Sequence, residues 1–103
     1  MDNLATIIEV LKEIRISATA INSELTLRDT MDKYNMLFMG DKLSKITSPE
    51  LRQYIIDNYQ FTISEEEFLK IIPIACKTLG MKTEALAAVN NPSKISAYFI
   101  QLF

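Results

Sequence analysis

The sequence predicts a single α+β domain that is mostly helical and ends in a β-hairpin. Apolar residues recur at helical spacing over most of the 103-residue chain, and helix-capping residues punctuate the same part. β-Branched and aromatic residues concentrate instead after residue 94. The composition, 49% hydrophobic and 23% charged, is typical of a globular protein with its own core, so we expect one domain over residues 1–103.

The first predicted helix covers residues 1–22 and carries an apolar stripe at heptad spacing. The stripe includes Leu4, Ile7, Leu11 and Ile14. Such a face either packs on its own domain or pairs with the same helix of a second copy, and the two uses are compatible. Because the stripe is wider than one helix of a small domain requires, we predict a homodimer with these four residues at its interface.

The next two predicted elements are a second helix and a short strand. The segment SELTLRDTMDKYNMLFMG has an apolar stripe, with Asn22 or Ser23 suited to cap its start and Gly40 suited to end it. The following KLSKIT alternates polar and apolar residues and allows a brief strand.

Two further helices are predicted close together. In SPELRQYIIDNY, Ser48 is a candidate N-cap and Pro49 suits the first helical position. In SEEEFLKIIPIACKTLG, Ser64 and Glu67 have the spacing of a capping box, and Gly80 suits the C-terminal stop. The short segment QFTI connects the two helices.

The last predicted element is a hairpin at the basic end of the chain. MKTEALAAVNNPSKISAYFIQLF is interpreted as two strands around the turn NNPSK. Residues 68–103 hold four lysines and one glutamate, whereas residues 1–67 hold seven basic and twelve acidic side chains. The net charge of −2 therefore conceals an uneven distribution, which can produce a directed field.

The composition argues against catalysis. The absence of histidine removes the commonest general base and the commonest metal ligand. Cys76 lies among apolar residues at helical spacing, which favours a place in the core over a role as nucleophile. The two glycines, Gly40 and Gly80, are too far apart for a phosphate-binding loop. We expect no enzyme activity, no cofactor, no metal and no small-molecule substrate.

The sequence also carries no sign of export. The start, MDNLATIIEV, is acidic where a signal peptide is basic. No apolar run approaches the roughly 20 residues that span a bilayer. We therefore expect a soluble, cytoplasmic protein without a membrane partner.

The predicted order of elements resembles the winged helix-turn-helix family. In that family a helix, a short strand, two closely joined helices and a hairpin wing follow one another, as SPELRQYIIDNY, SEEEFLKIIPIACKTLG and the tip VNNPSKI do here. The resemblance implies a winged-helix core over residues 23–103, with residues 1–22 as an additional helix. It implies double-stranded DNA as the partner, although many domains of this kind bind proteins instead.

A narrower resemblance concerns size, composition, helix order and the polar segment NNPSK. In these respects the chain is similar to the small winged-helix accessory proteins of conjugative plasmids, of the TcpK type. Those proteins bind repeated sites near a transfer origin as dimers. The resemblance implies sequence-specific DNA binding by a dimer and a role in plasmid conjugation.

The fourth helix is a poor candidate for insertion into DNA. Helix-turn-helix proteins usually place the start of their second helix in the major groove. Here that start is Ser64 followed by Glu65, Glu66 and Glu67. At an effective dielectric constant near 20, each carboxylate brought about 4 Å from a phosphate costs about 4 kcal/mol before screening.

The wing is a better candidate for DNA contact. Amide side chains in NNPSK can pair with base edges, while hydroxyl and ammonium groups suit phosphate oxygens. The predicted DNA-binding residues are Asn90, Asn91, Ser93, Lys94, Lys77, Lys82 and Tyr98, the last through its hydroxyl. Three alternatives remain open, namely an ordinary polar turn, a protein-interaction module that does not bind DNA, and a small transcriptional repressor.

Overall fold

The computed structural model describes residues 3–59 and 62–103, except for the side chain of Pro92. These residues form four helices and three strands. In chain order the elements are α1 (Asn3–Thr19), α2 (Glu24–Tyr34), β1 (Lys45–Thr47), α3 (Ser48–Tyr59), α4 (Glu65–Leu79), β2 (Lys82–Ala88) and β3 (Asn91–Gln101). The predicted α+β class and the predicted order of helices, short strand and hairpin are confirmed.

The three strands form one antiparallel sheet in the order β1-β3-β2. The register sets Gln101 of β3 opposite both Lys45 and Lys82, and Ile100 opposite Ile46. Directly opposed residues point to the same face of a sheet. Ile46 and Ile100 are fully buried, so their face packs on the helices. Lys45, Lys82 and Gln101 therefore lie on the outer face.

The apolar stripe of α1 closes the core of its own chain. Ile7, Leu11 and Ile14 are each 0% exposed, and Leu4 packs against the same cluster. The helix lies against α4, where the Arg15 guanidinium donates a hydrogen bond of 2.9 Å to the carbonyl of Leu79. Three of the four predicted interface side chains, Ile7, Leu11 and Ile14, therefore have no exposed surface to offer a partner, whereas Leu4 is only partly buried. The predicted homodimer interface along this stripe stays a prediction.

The C-terminal end of α2 departs from the prediction. Ser23 and Thr26 form a full capping box at the start of α2. The helix ends at Asn35, which adopts the left-handed conformation (φ 52°) and donates its N–H back to Met31. Gly40, predicted as this stop, lies instead in the loop before β1. Asparagine tolerates the left-handed region better than most residues, so it ends the helix earlier.

Ser48 serves the sheet instead of capping a helix. It is the first residue of α3, is only 1% exposed, and accepts a hydrogen bond of 2.9 Å from the N–H of Tyr98. Its hydroxyl therefore joins α3 to β3, which replaces the predicted N-cap role. Ser64 does cap α4 by accepting from the N–H of Glu67, and Gly80 ends that helix in the left-handed conformation.

An arginine of α3 contacts the backbone just before α4. Arg52 donates two hydrogen bonds to the carbonyl of Ile63, from Nε at 3.0 Å and from Nη2 at 2.8 Å. Residues 60–61 of the predicted connection QFTI lie outside the described residues. Among the helices that are described, none is long and apolar enough to cross a membrane.

Candidate nucleic-acid interface

The hairpin formed by β2 and β3 projects from the core. No described side chain from Lys82 to Ser96 is buried. Burial begins at Ala97 and continues at Ile100 and Leu102, where β3 packs on the helices. We call residues 3–81 together with residues 97–102 the helical body, and residues 89–94 the hairpin tip. The tip is therefore carried on a two-stranded arm outside the core.

The turn at the tip is shorter than the predicted turn NNPSK and lies nearer to β2. Val89 and Asn90 form a two-residue turn, and Ala88 pairs with Asn91, the first residue of β3. Neither turn residue has a positive φ, so the turn is not one of the primed types that match the twist of a regular hairpin. Register shifts between Leu86 and Ala88 absorb the mismatch. Most of NNPSK consequently belongs to the strand.

Four of the seven predicted DNA-binding residues meet at the tip. Asn90, Asn91, Ser93 and Lys94 are all exposed. The Ser93 hydroxyl donates a hydrogen bond of 2.8 Å to Oδ1 of Asn91. This bond uses the acceptor of the Asn91 amide and leaves its NH₂ group to donate to an acceptor outside the chain.

Lys77 and Lys82 do not join this group. Lys82 begins β2, so the six intervals to Ala88 place it roughly 20 Å from the tip. Lys77 lies in the last turn of α4, where its positive charge complements the helix dipole. The structure thus separates the predicted contacts into a group at the tip and two lysines at the base of the hairpin.

Tyr98 is tied to the helical body. It is partly buried and packs against the core, and its N–H is bonded to Ser48. Its backbone and ring thus position β3 on the helices. Its predicted hydroxyl contact with a phosphate stays a prediction.

The start of α4 has the opposite charge to the tip. Glu65, Glu66 and Glu67 are all exposed. Glu66 lies 3.6 Å from Nζ of Lys70, and both side chains are more than 70% exposed, so this pair is largely screened by solvent. The carboxylates stabilise the positive end of the helix dipole. They also leave a negative surface where helix-turn-helix proteins usually contact DNA.

Two features escaped the sequence analysis. Val89 is fully exposed at the apex of the turn, although no periodic pattern marks its position.

A tyrosine cluster also forms around Glu13, which accepts hydrogen bonds from the hydroxyls of Tyr54 at 3.3 Å and Tyr59 at 3.4 Å. Burial raises the pKa of Tyr54, and the nearby Glu13 carboxylate raises this pKa further. The cluster links α1 to α3, and only knowledge of the helix packing would have revealed it.

Cys76 occupies the predicted core position. It is buried, and burial raises the pKa of its thiol to about 11, so the thiol stays protonated at neutral pH. Within residues 3–59 and 62–103, no three His, Cys, Asp or Glu side chains lie close enough together to hold a metal ion.

No protein-family model, no curated protein and no solved structure matches the chain.

Proposed function

We propose that the protein is a winged-helix DNA-binding protein that contacts double-stranded DNA through its hairpin tip. Two features of the fold support the winged-helix assignment. The order α2, β1, α3, α4, β2, β3 is the one that the family resemblance implies. The hairpin also follows two consecutive helices, and Arg52 of the first donates hydrogen bonds to the carbonyl of Ile63 just before the second.

One observation carries the proposal. The hairpin tip is a solvent-exposed end of a projecting arm, and it presents two amides, a hydroxyl and an ammonium group together. Glu84 is the only acidic side chain in residues 68–103, and it lies five positions before the turn. Such a surface can approach a polyanion without the repulsion that a carboxylate would introduce.

The tip residues divide into two kinds of contact. Asn90 and Asn91 are suited to base edges, because an amide can donate to and accept from the groove floor or from adenine. Ser93 and Lys94 are suited to phosphate oxygens, which position the protein without reading sequence. The hydrogen bond from Ser93 to Asn91 links the two kinds of contact. Through it, a hydroxyl suited to phosphate orients an amide suited to base edges.

The start of α4 stays away from the phosphates in this proposal. Its three exposed carboxylates oppose entry into a groove, whereas the hairpin tip carries none. Binding is therefore centred on the wing rather than on the second helix of the helix-turn-helix.

Fluorescence anisotropy with a labelled pool of random-sequence duplex DNA tests the proposal. We expect measurable affinity that falls as salt rises, with each phosphate contact contributing about −0.9 to the slope of log affinity against log salt. Lys94→Ala should weaken binding, whereas Lys12→Ala, at an exposed lysine of α1, should not. Absence of binding at low salt, or equal losses in the two variants, would contradict the proposal.

Selection of bound duplexes from the same pool addresses the narrower role. An enriched sequence that occurs repeatedly near a plasmid transfer origin would support a conjugation accessory protein, and one in a promoter would support a repressor. Selection without any enriched sequence would contradict sequence-specific binding.

A protein-interaction module is the second candidate. It is favoured by the exposed apolar side chains of the hairpin, since Val89 is fully exposed and Ile95 is 40% exposed. Affinity for duplex DNA separates the two functions, because a tip that binds only proteins has no salt-dependent DNA affinity. If the tip binds DNA, Val89→Ser should keep that affinity.

A further inference from the structure

The outer edge of β2 has no backbone partner among the described residues. The sheet order β1-β3-β2 leaves β2 at one edge. Lys82, Thr83, Glu84 and Ala85 are all exposed. Space beside the start of the strand is also open, because a Cβ built at Gly80 would meet no atom within 4 Å. This edge is therefore accessible to another strand.

The hydrogen bonds of β3 define which residues of β2 face outward. Leu102 donates its N–H to the carbonyl of Ser44, so the backbone of Leu102 points to the β1 side. Backbone groups alternate along an antiparallel strand, so Gln101 points to β2. Its partner Lys82 points back to β3. The N–H and C=O of Thr83 consequently point away from the sheet.

The same alternation turns the backbone of Ala85 outward. A second β2 strand that adds in antiparallel orientation must set outward-pointing residues opposite one another. In a symmetric pair of identical strands, the two-fold axis then passes through a residue position. The neighbouring registers differ in which charged side chains they bring together.

Charge selects one of these registers. An axis through Lys82 sets this lysine against its own copy, and an axis through Glu84 opposes two glutamates. An axis through Ala85 leaves both charges without a charged partner. An axis through Thr83 alone sets Lys82 of each chain opposite the partner's Glu84, and it does so twice. Opposite charges in such pairs are stabilising, and like charges are destabilising.

We infer that two copies of this chain pair through their β2 edges, antiparallel and centred on Thr83. The pairing joins two three-stranded sheets into one of six strands. It supplies a dimer interface apart from the α1 stripe, in which Ile7, Leu11 and Ile14 are fully buried. Lys82 then contacts the partner's Glu84 instead of a phosphate. This inference goes beyond the proposed function and does not rest on it.

The pairing has a geometric consequence. The two hairpins point in opposite directions from the axis at Thr83, so their tips lie roughly 40 Å apart along the strands. This separation is close to the spacing of about 34–36 Å between binding sites one turn apart on DNA. A dimer of this kind can present both tips to one duplex.

Sedimentation equilibrium without DNA, across the micromolar range at low salt, tests the pairing. The wild-type chain should dimerise. Lys82→Glu opposes two glutamates twice, and Glu84→Lys opposes two lysines twice, so each should weaken dimerisation about tenfold or more. The double variant Lys82→Glu/Glu84→Lys exchanges the charges and should restore the wild-type constant. All substituted side chains are exposed, and circular dichroism should confirm unchanged folding.

The matched control exchanges an ion pair elsewhere. Glu9→Lys and Lys12→Glu, singly and together, alter an exposed pair on α1 and should leave the dimer constant unchanged. A wild-type chain that stays monomeric throughout overturns the inference. So does a dimer that is insensitive to the β2 charges, or one that the double variant fails to restore. Loss of DNA binding with an intact dimer would count against the proposed function alone.

Discussion

The helical body and the hairpin tip differ in burial, and they therefore differ in what constrains the identity of their side chains. Ile7, Leu11 and Ile14 of the body are 0% exposed, whereas Val89 at the tip is fully exposed. A side chain in the body is constrained by its neighbours, so its identity mainly affects stability. A side chain at the tip has few such neighbours, and its identity affects what the tip can contact.

The start of α4 differs from the tip in charge rather than in exposure. Like the tip, it is exposed and held by a regular element, but it presents three carboxylates where the tip presents Asn, Ser and Lys. The fold brings both segments to the surface. The difference between them indicates that local charge, more than exposure, determines which of the two segments can approach phosphates without repulsion.

The largest expected effect tests the body. Ile14→Ala removes a fully buried side chain, which should lower the free energy of unfolding by about 2–5 kcal/mol. Chemical denaturation measures this loss. Ile16→Ala is the matched control, since Ile16 lies on the same helix with 70% exposure and should cost much less. Similar losses in the two variants would show that the α1 stripe does not form the core.

The second prediction gives the tip the charge of the α4 start. Asn90→Asp with Asn91→Asp places two carboxylates at the proposed DNA contact, which should reduce affinity at least about tenfold at low salt. Anisotropy with duplex DNA measures the loss, and denaturation should show unchanged stability. Ile16→Asp with Leu25→Asp adds the same charge to exposed positions of the body. If this control lost as much affinity, net charge rather than the tip would determine binding.

The third prediction separates base reading from phosphate contact within the tip. Asn91→Ala should cost about 1–3 kcal/mol of binding free energy on the selected sequence and relax preference at one base pair. Lys94→Ala should weaken all sequences alike and reduce the magnitude of the salt slope by about 1. Repeating the selection and the salt series with each variant measures both effects. Identical specificity changes in the two variants would contradict the division of roles.

The structure of the helical body and that of the hairpin tip could be predicted from the sequence to different extents. Helical periodicity and the caps at Ser23, Ser64 and Gly80 located the helices, because these signals act within a few residues. Periodicity located the apolar face of α1 but left open what covers it, and in the structure the core of the same chain covers most of it. The turn position was displaced because the unprimed turn at Val89 and Asn90 lacks a strong local signature.

Long-range polar contacts were also beyond the sequence. The Ser48 hydroxyl bonds to the backbone of Tyr98, 50 residues away, and Glu13 meets tyrosines 41 and 46 residues further along. Each residue type has several local uses that are equally consistent with the pattern. Only the packing of α1, α3 and β3 selects the observed one.

The fourth prediction concerns pH and the body alone. Burial and the Glu13 carboxylate raise the pKa of Tyr54 in the folded protein above its ordinary value. The unfolded chain therefore releases this proton first, so stability is fully present below pH of about 10 and falls as pH rises further. Tyr54→Phe removes this contribution and should flatten the alkaline decline. Thermal unfolding across that range measures it, and a decline as steep as in the wild type would contradict the assignment.

The smallest expected effect returns to the α4 start. Glu65→Gln with Glu66→Gln removes two exposed carboxylates while keeping their size. If DNA meets the tip and not this helix, affinity should stay the same or rise slightly, since long-range repulsion is relieved and no contact is lost. The loss of the exposed pair with Lys70 should cost little stability. A fall in specific affinity, with folding unchanged, would move the DNA contact from the hairpin tip to α4.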